Sequence, residues 1–310
     1  MKKILCAVLA LAAMASCSKE YIVAENKQAI AFGEAFVNNG TRADYSSGND
    51  VQRFYVYGTV QGEFENSTPV QIFKGAEVER PDDLAGYNEN VAWVCEETQY
   101  WVPNAVYNFT AVVDGELNKE DGNYLNTINF TVEDGNANKD LLLATADARV
   151  NNAGVVESGV NSKGYVAFSF NHLLSKVMFT VNSNIGSGYS IDVTGISVTG
   201  VAQDGIYTVG AATPWAKDGD ATTTLTFGRQ GAYETRQILP VEQTLNVTIS
   251  YDIYFGGTKI SAATKSGAIT KTFAVNTVYN IVATITMTNE IEFTVKEVID
   301  WVVDPNNITL

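Results

Sequence analysis

Residues 165–181 read YVAFSFNHLLSKVMFTV. Within the run Val166, Phe168 and Phe170 fall on one side of an extended chain, the period of two expected of a strand with one buried face. Residues 245–253 repeat it with Leu245, Val247, Ile249, Tyr251 and Ile253. The segments 51–60, 106–115 and 279–288 are likewise rich in Val, Ile, Thr, Tyr and Phe, and clusters of Gly, Asn and Asp separate them. No amphipathic helical stretch of useful length occurs, so the chain is expected to be all-β. Strands that bury one face and wet the other suit sandwiches of antiparallel sheets.

A chain of 310 residues is long enough for two such units. The turn-rich stretch NNAGVVESGVNSKG (151–164) is the expected linker. It divides the chain into 43–157 and 158–310, with enough strand candidates on each side for one sandwich.

The amino terminus, MKKILCAVLALAAMASC, sets Lys2 and Lys3 before a short apolar run that ends in Met-Ala-Ser-Cys. The run is too short to span a bilayer and has the form of an export signal over 1–16. Cysteine directly after small residues resembles a bacterial lipobox, which makes Cys17 the expected lipidation site and tethers the exported polypeptide to a membrane by acyl chains. The exported part then carries 18 basic against 35 acidic residues, a net charge of −17. Such a surface repels nucleic acid, which is excluded as a partner. Cys6 leaves with the signal and Cys17 carries lipid, so Cys95 stands alone and no intrachain disulfide can form.

Catalytic chemistry is scarce. The single histidine, His172, and the single free thiol, Cys95, fall in opposite halves of the divided chain. Carboxylate pairs such as Glu96-Glu97 and Asp82-Asp83 arise by chance among 35 acids, and Asp218-Gly219-Asp220 lacks the further ligands of a calcium loop. No enzyme, metal or cofactor is expected. A rival reading, a monomeric outer-membrane lipoprotein that binds glycans, rests on Trp93, Trp101 and Trp215 as aromatic faces on which sugars stack.

Residues 29–37, AIAFGEAFV, alternate Ile30, Phe32 and Phe36, and a polar stretch then leads to Thr41-Arg42-Ala43. From spacing alone this is either a first strand followed by a surface arginine or a strand followed by an exposed loop that a protease can cut.

The lipobox and the Ile30-X-Phe32 strand before Thr41-Arg42-Ala43 are joined by Tyr100-Trp101-Val102-Pro103 with Tyr107 and Phe109. Leu141–Ala144, Phe170–Val177, Ile238-Leu239-Pro240 and Trp301 come next, in order. Together they resemble the fimbrillin family of type V pilus subunits. The resemblance implies two tandem transthyretin-like β-sandwich domains and transport to the outer membrane as a lipoprotein. It also implies polymerisation into adhesive fimbriae after an arginine-specific protease removes the first strand. Cys17 becomes the lipid site, Arg42 the cut, Ala43 the new amino terminus, and 17–42 a propeptide. The groove left behind needs a replacement strand. The carboxyl-terminal segment 289–310 offers one, with Ile291, Phe293, Val295, Ile299, Trp301 and Val303 at even spacing, supplied by another pilus subunit.

Overall fold

The computed structural model describes residues 28–37, 51–81, 91–134, 139–286 and 291–298. Cys17, Arg42, Ala43, Ile299, Trp301 and Val303 lie outside them, as does the pair Asp82-Asp83. The described residues form an all-β protein.

In chain order the first strands are β1 (Ala31–Val37), β2 (Arg53–Gly62), β3 (Val70–Glu79), β4 (Val94–Cys95), β5 (Ala105–Val113), β6 (Lys119–Glu120) and β7 (Asn123–Tyr124). They continue with β8 (Thr127–Thr131), β9 (Leu142–Val150), β10 (Val156–Ser158), β11 (Tyr165–His172) and β12 (Ser175–Asn184). After these come β13 (Tyr189–Ala202), β14 (Asp204–Thr208), β15 (Trp215–Lys217), β16 (Thr222–Thr226), β17 (Gly228–Arg229), β18 (Ala232–Tyr233) and β19 (Arg236–Ile238). The last are β20 (Glu242–Phe255), β21 (Thr258–Thr272), β22 (Thr277–Thr286) and β23 (Ile291–Val298).

The first unit is one large sheet in the order β1-β11-β9-β5-β2-β3-β4. It curls around an aromatic core of Phe32, Phe54, Phe73, Tyr107, Phe109, Phe168 and Phe170. The second unit is a sandwich of β19-β12-β22-β23 on β16-β13-β20-β21. Phe179, Tyr279 and Ile281 from one sheet meet Val198, Val247 and Ile249 from the other. The pairs are antiparallel except β1 with β11 and β12 with β22, which are parallel.

The division at 157/158 needs correction. Strand β11 lies beyond it, yet pairs with β9 and β1 and buries Val166, Phe168 and Phe170 in the first core. The run 165–181 is therefore two strands, not one. β11 closes the first sheet, Leu173 and Leu174 are buried at the crossing, and β12 opens the second sandwich.

The two units are bonded to each other. β8, from the first half of the sequence, pairs over five residues with β14, and Thr131 Oγ1 donates to Asp204 Oδ1 at 2.6 Å. Trp215 Nε1 donates to Leu173 O at 2.7 Å. Asp134 accepts from Thr226 N at 2.7 Å and Thr226 Oγ1 at 2.8 Å, and lies 3.4 Å from Arg236 Nε. The nearly buried Arg236 also pairs with Glu234. Burial works against the Asp134 charge, but the Thr226 donors and Arg236 outweigh it and hold the carboxyl below its ordinary value.

A carboxyl whose folded pKa is depressed gives its stability above the unfolded value of about 4, and loses it as pH falls through the lower folded one. Asp134→Asn is therefore expected to lower the thermal midpoint at pH 7. It is also expected to flatten the fall of that midpoint below about pH 4, read by calorimetry across pH.

Candidate functional site: the seat of the first strand

The edge of a sheet is a row of unpaired donors and acceptors, and β1 shows how this one is closed. On one side it runs parallel to β11, with Ala31 opposite Tyr165, Phe32 opposite Val166, Ala35 opposite Phe168 and Val37 opposite Phe170. On the other it meets the segment around β4. Trp93 N donates to Phe32 O at 2.8 Å, Ile30 N to Gln99 O at 2.8 Å, and Trp101 N to Gln28 O at 3.1 Å. Both flanks of the strand are thus bonded, and it joins the two ends of the curled sheet.

The alternation read from the sequence holds for Ile30 and Phe32 and then slips, because the register irregularity between Phe32 and Ala35 turns Ala35 into the core. Ile30 and Ala35 are buried and Phe32 is wholly so. The Phe32 ring lies 5.3 Å from Phe73, 5.9 Å from Phe109, 6.0 Å from Phe168 and 6.4 Å from Phe54, most of them edge-on. Such pairs add about 0.5–1.5 kcal/mol each to the burial itself. Phe36 stands in the strand opposite Ser169, and its side chain is outside the described set.

The far wall of the seat is held by Tyr107. Its buried hydroxyl accepts from Val102 N at 2.5 Å and tethers residues 100–102 beside β1. Burial pushes the phenol up to about 12, against the opposing pull of that N–H. Trp101 packs on Tyr107 at 4.7 Å, and its indole N–H meets no acceptor among the described residues.

At the other end of the chain, β23 pairs antiparallel with β22 and forms the outer edge of its sheet. Ile291, Phe293 and Val295 face the second core but remain half-buried. Three of the six residues read as donor anchors are thus packed at home along a single hydrogen-bonded edge.

The supports for the glycan reading do not hold their expected positions. Trp93 and Trp101 are buried in the first core and offer no open ring face for stacking, and Trp215 is half-buried with its N–H engaged. They fill gaps between strands because a large ring gains more from the core than from water. Nor are Cys95 and His172 separated as expected, since both lie in the first sheet. Burial raises the Cys95 thiol, the opposite of activation. His172 Nδ1 lies 2.7 Å from Asp140 Oδ2 at the crossing. No group of metal-ligating side chains occurs among the described residues.

The fold is shared with solved structures. A fimbrial protein from Bacteroides vulgatus superposes with a TM-score of 0.60 at 18% identity, over 89% of this chain and 100% of that one. A candidate cell adhesion protein from Bacteroides uniformis gives 0.57 at 16%, over 88% and 98%. Another from Bacteroides ovatus gives 0.55 at 14%, over 91% and 99%. No curated protein sequence matches significantly. The fimbrillin-like family model spans residues 41–301, from beside β1 to beyond β23, and on that match the chain belongs to the fimbrillin-like family.

Proposed function

We propose that the chain is a structural subunit of a surface fimbria that supports adhesion. It is exported as a lipoprotein acylated at Cys17, held in the outer membrane, and polymerised by strand replacement after a protease cuts behind Arg42. The observation that carries this reading is the seat of β1, a strand bonded on both flanks with Phe32 at the centre of an aromatic core.

An empty seat is not a stable state. Losing a buried Phe side chain alone costs about 3–5 kcal/mol, and both flanks would be left with unmatched amides and carbonyls. While the chain is intact, the covalent link keeps β1 at an effective concentration that no free strand matches. Cutting after Arg42 removes that advantage, with residues 17–42 as the detachable propeptide. Arg53, the other arginine near the loop, begins a paired strand and lies 3.9 Å from Glu77, a poor substrate backbone for a protease.

Supply of the replacement falls to the segment 289–310 of a neighbouring subunit. Its described part, β23, is bonded along one edge and half-buried, so leaving home costs less than emptying the seat of β1. Each large apolar side chain that passes from half-buried to fully buried gains about 1 kcal/mol. Ile291, Phe293 and Val295 match the alternation of Ile30 and Phe32, and Ile299, Trp301 and Val303 continue it in the sequence. Backbone pairing supplies affinity and the alternate side chains supply register. Contacts of this head-to-tail kind propagate into a fibre when their rotation closes no ring.

On native cells, the amino-terminal residue found by mass spectrometry and an unheated detergent gel decide the matter. Ala43 with a ladder of polymers is expected, and acylated Cys17 on a lone monomer overturns the reading. Arg42→Ala is expected to leave the subunit monomeric when an arginine-specific protease is added. Deleting 299–310 is expected to shorten the ladder, and deleting 291–310 to abolish it. Full ladders from the longer deletion would rule out this segment as donor.

A further inference from the structure

Glycine at position 33 is not a neutral choice. A Cβ placed there would lie 2.9 Å from Cβ and 3.0 Å from Cδ2 of Tyr165, closer than such atoms approach. Turning the tyrosine ring relieves only the second contact, because the first atom is fixed to the backbone of β11. That backbone is pinned in turn. Asn161 Oδ1 accepts from Tyr165 N at 3.1 Å, and Asn161 N donates to Tyr165 O at 2.9 Å. The register of β1 against β11 is irregular between Phe32 and Ala35, at the same place. The resident strand therefore presses its bare backbone against Tyr165, as only glycine permits.

Residues 289–310 contain no glycine. Whatever register a replacement drawn from them adopts, no residue can repeat this approach. We propose that Gly33 against Tyr165 is the specificity determinant of the seat. It fits the resident strand more closely than any strand from 289–310, and a replacement is admitted only when the Asn161–Tyr165 end of β11 gives way. The discrimination rests on the strand-replacement reading, whereas the contact itself does not.

Two measurements on the full precursor separate these. In the uncut protein, Gly33→Ala is expected to lower the thermal midpoint by several degrees. The same substitution made in a Tyr165→Gly chain costs little against that chain, and in a Tyr165→Ala chain, which keeps the Cβ, it costs nearly as much as in the parent. After arginine-specific cleavage, Gly33→Ala and Tyr165→Gly are each expected to speed ladder growth several-fold, the first by loosening the resident strand and the second by admitting its replacement. An unchanged midpoint for Gly33→Ala, or an equal loss from it in the Tyr165→Gly chain, overturns the contact. A loss confined to chains that keep the Tyr165 Cβ, with equal ladder rates in all variants, overturns the discrimination and leaves a packing role. Absence of a ladder in every variant, the parent included, overturns strand replacement, while the midpoints still report on the contact.

Discussion

The first sheet depends on one strand having partners on both sides. A curled sheet with an open seam exposes two rows of unmatched backbone groups, and in this protein β1 fills that seam. Phe32 then completes the core from the same position, in contact with rings from four other strands. Backbone satisfaction and aromatic burial thus converge on seven residues joined to the rest of the chain through the sequence that contains Arg42. In the proposed reading, a seam filled in this way is stable while its strand is tethered and demands another once it is not.

The second constraint is the bond between the units. β8 leaves the first half to form a three-stranded sheet with β14 and β15, Asp134 reaches across to Thr226 and Arg236, and the second core takes in Tyr57, Val112, Leu141 and Leu143. The ion pair sets a nearly buried guanidinium between two part-exposed carboxylates, and with the Thr226 donors it fixes the approach of the two units. The paired strands and the common apolar core give the two units a fixed relation, so β1 of one unit and β23 of the other lie on a single body.

Much of this was legible before the fold was known, and the failures have physical causes. Alternation in 165–172, 245–253 and 291–295 matches the buried faces, because a half-exposed strand prints its environment directly on the sequence. The break at Leu173–Leu174 was hidden because both leucines are buried at the crossing, so the apolar run reads as continuous. The linker was misplaced for a related reason. Residues 151–164 are turn-rich, but they link neighbouring strands of one sheet, and Gly and Asn signal a reversal without specifying which sheet the next strand joins. The short β8 gives no local sign of a partner as distant as β14. Gly33 stood in plain view in AIAFGEAFV, but its meaning lies in the approach of Tyr165, which no spacing reveals.

Pairing β1 with β11 also orders events in time. The first strand is synthesised before either of its flanks, and Ala31 must wait for Tyr165, after every other strand of that sheet has been made. Contacts between such distant residues bear a loop-closure penalty and form late. The strand is therefore made first and seated last. In the proposed reading a premature cut would release it before a seat existed, leaving the open seam to pair with any exposed edge nearby. That reading requires folding to be complete before the protease arrives, with export of an inert precursor keeping the two events apart.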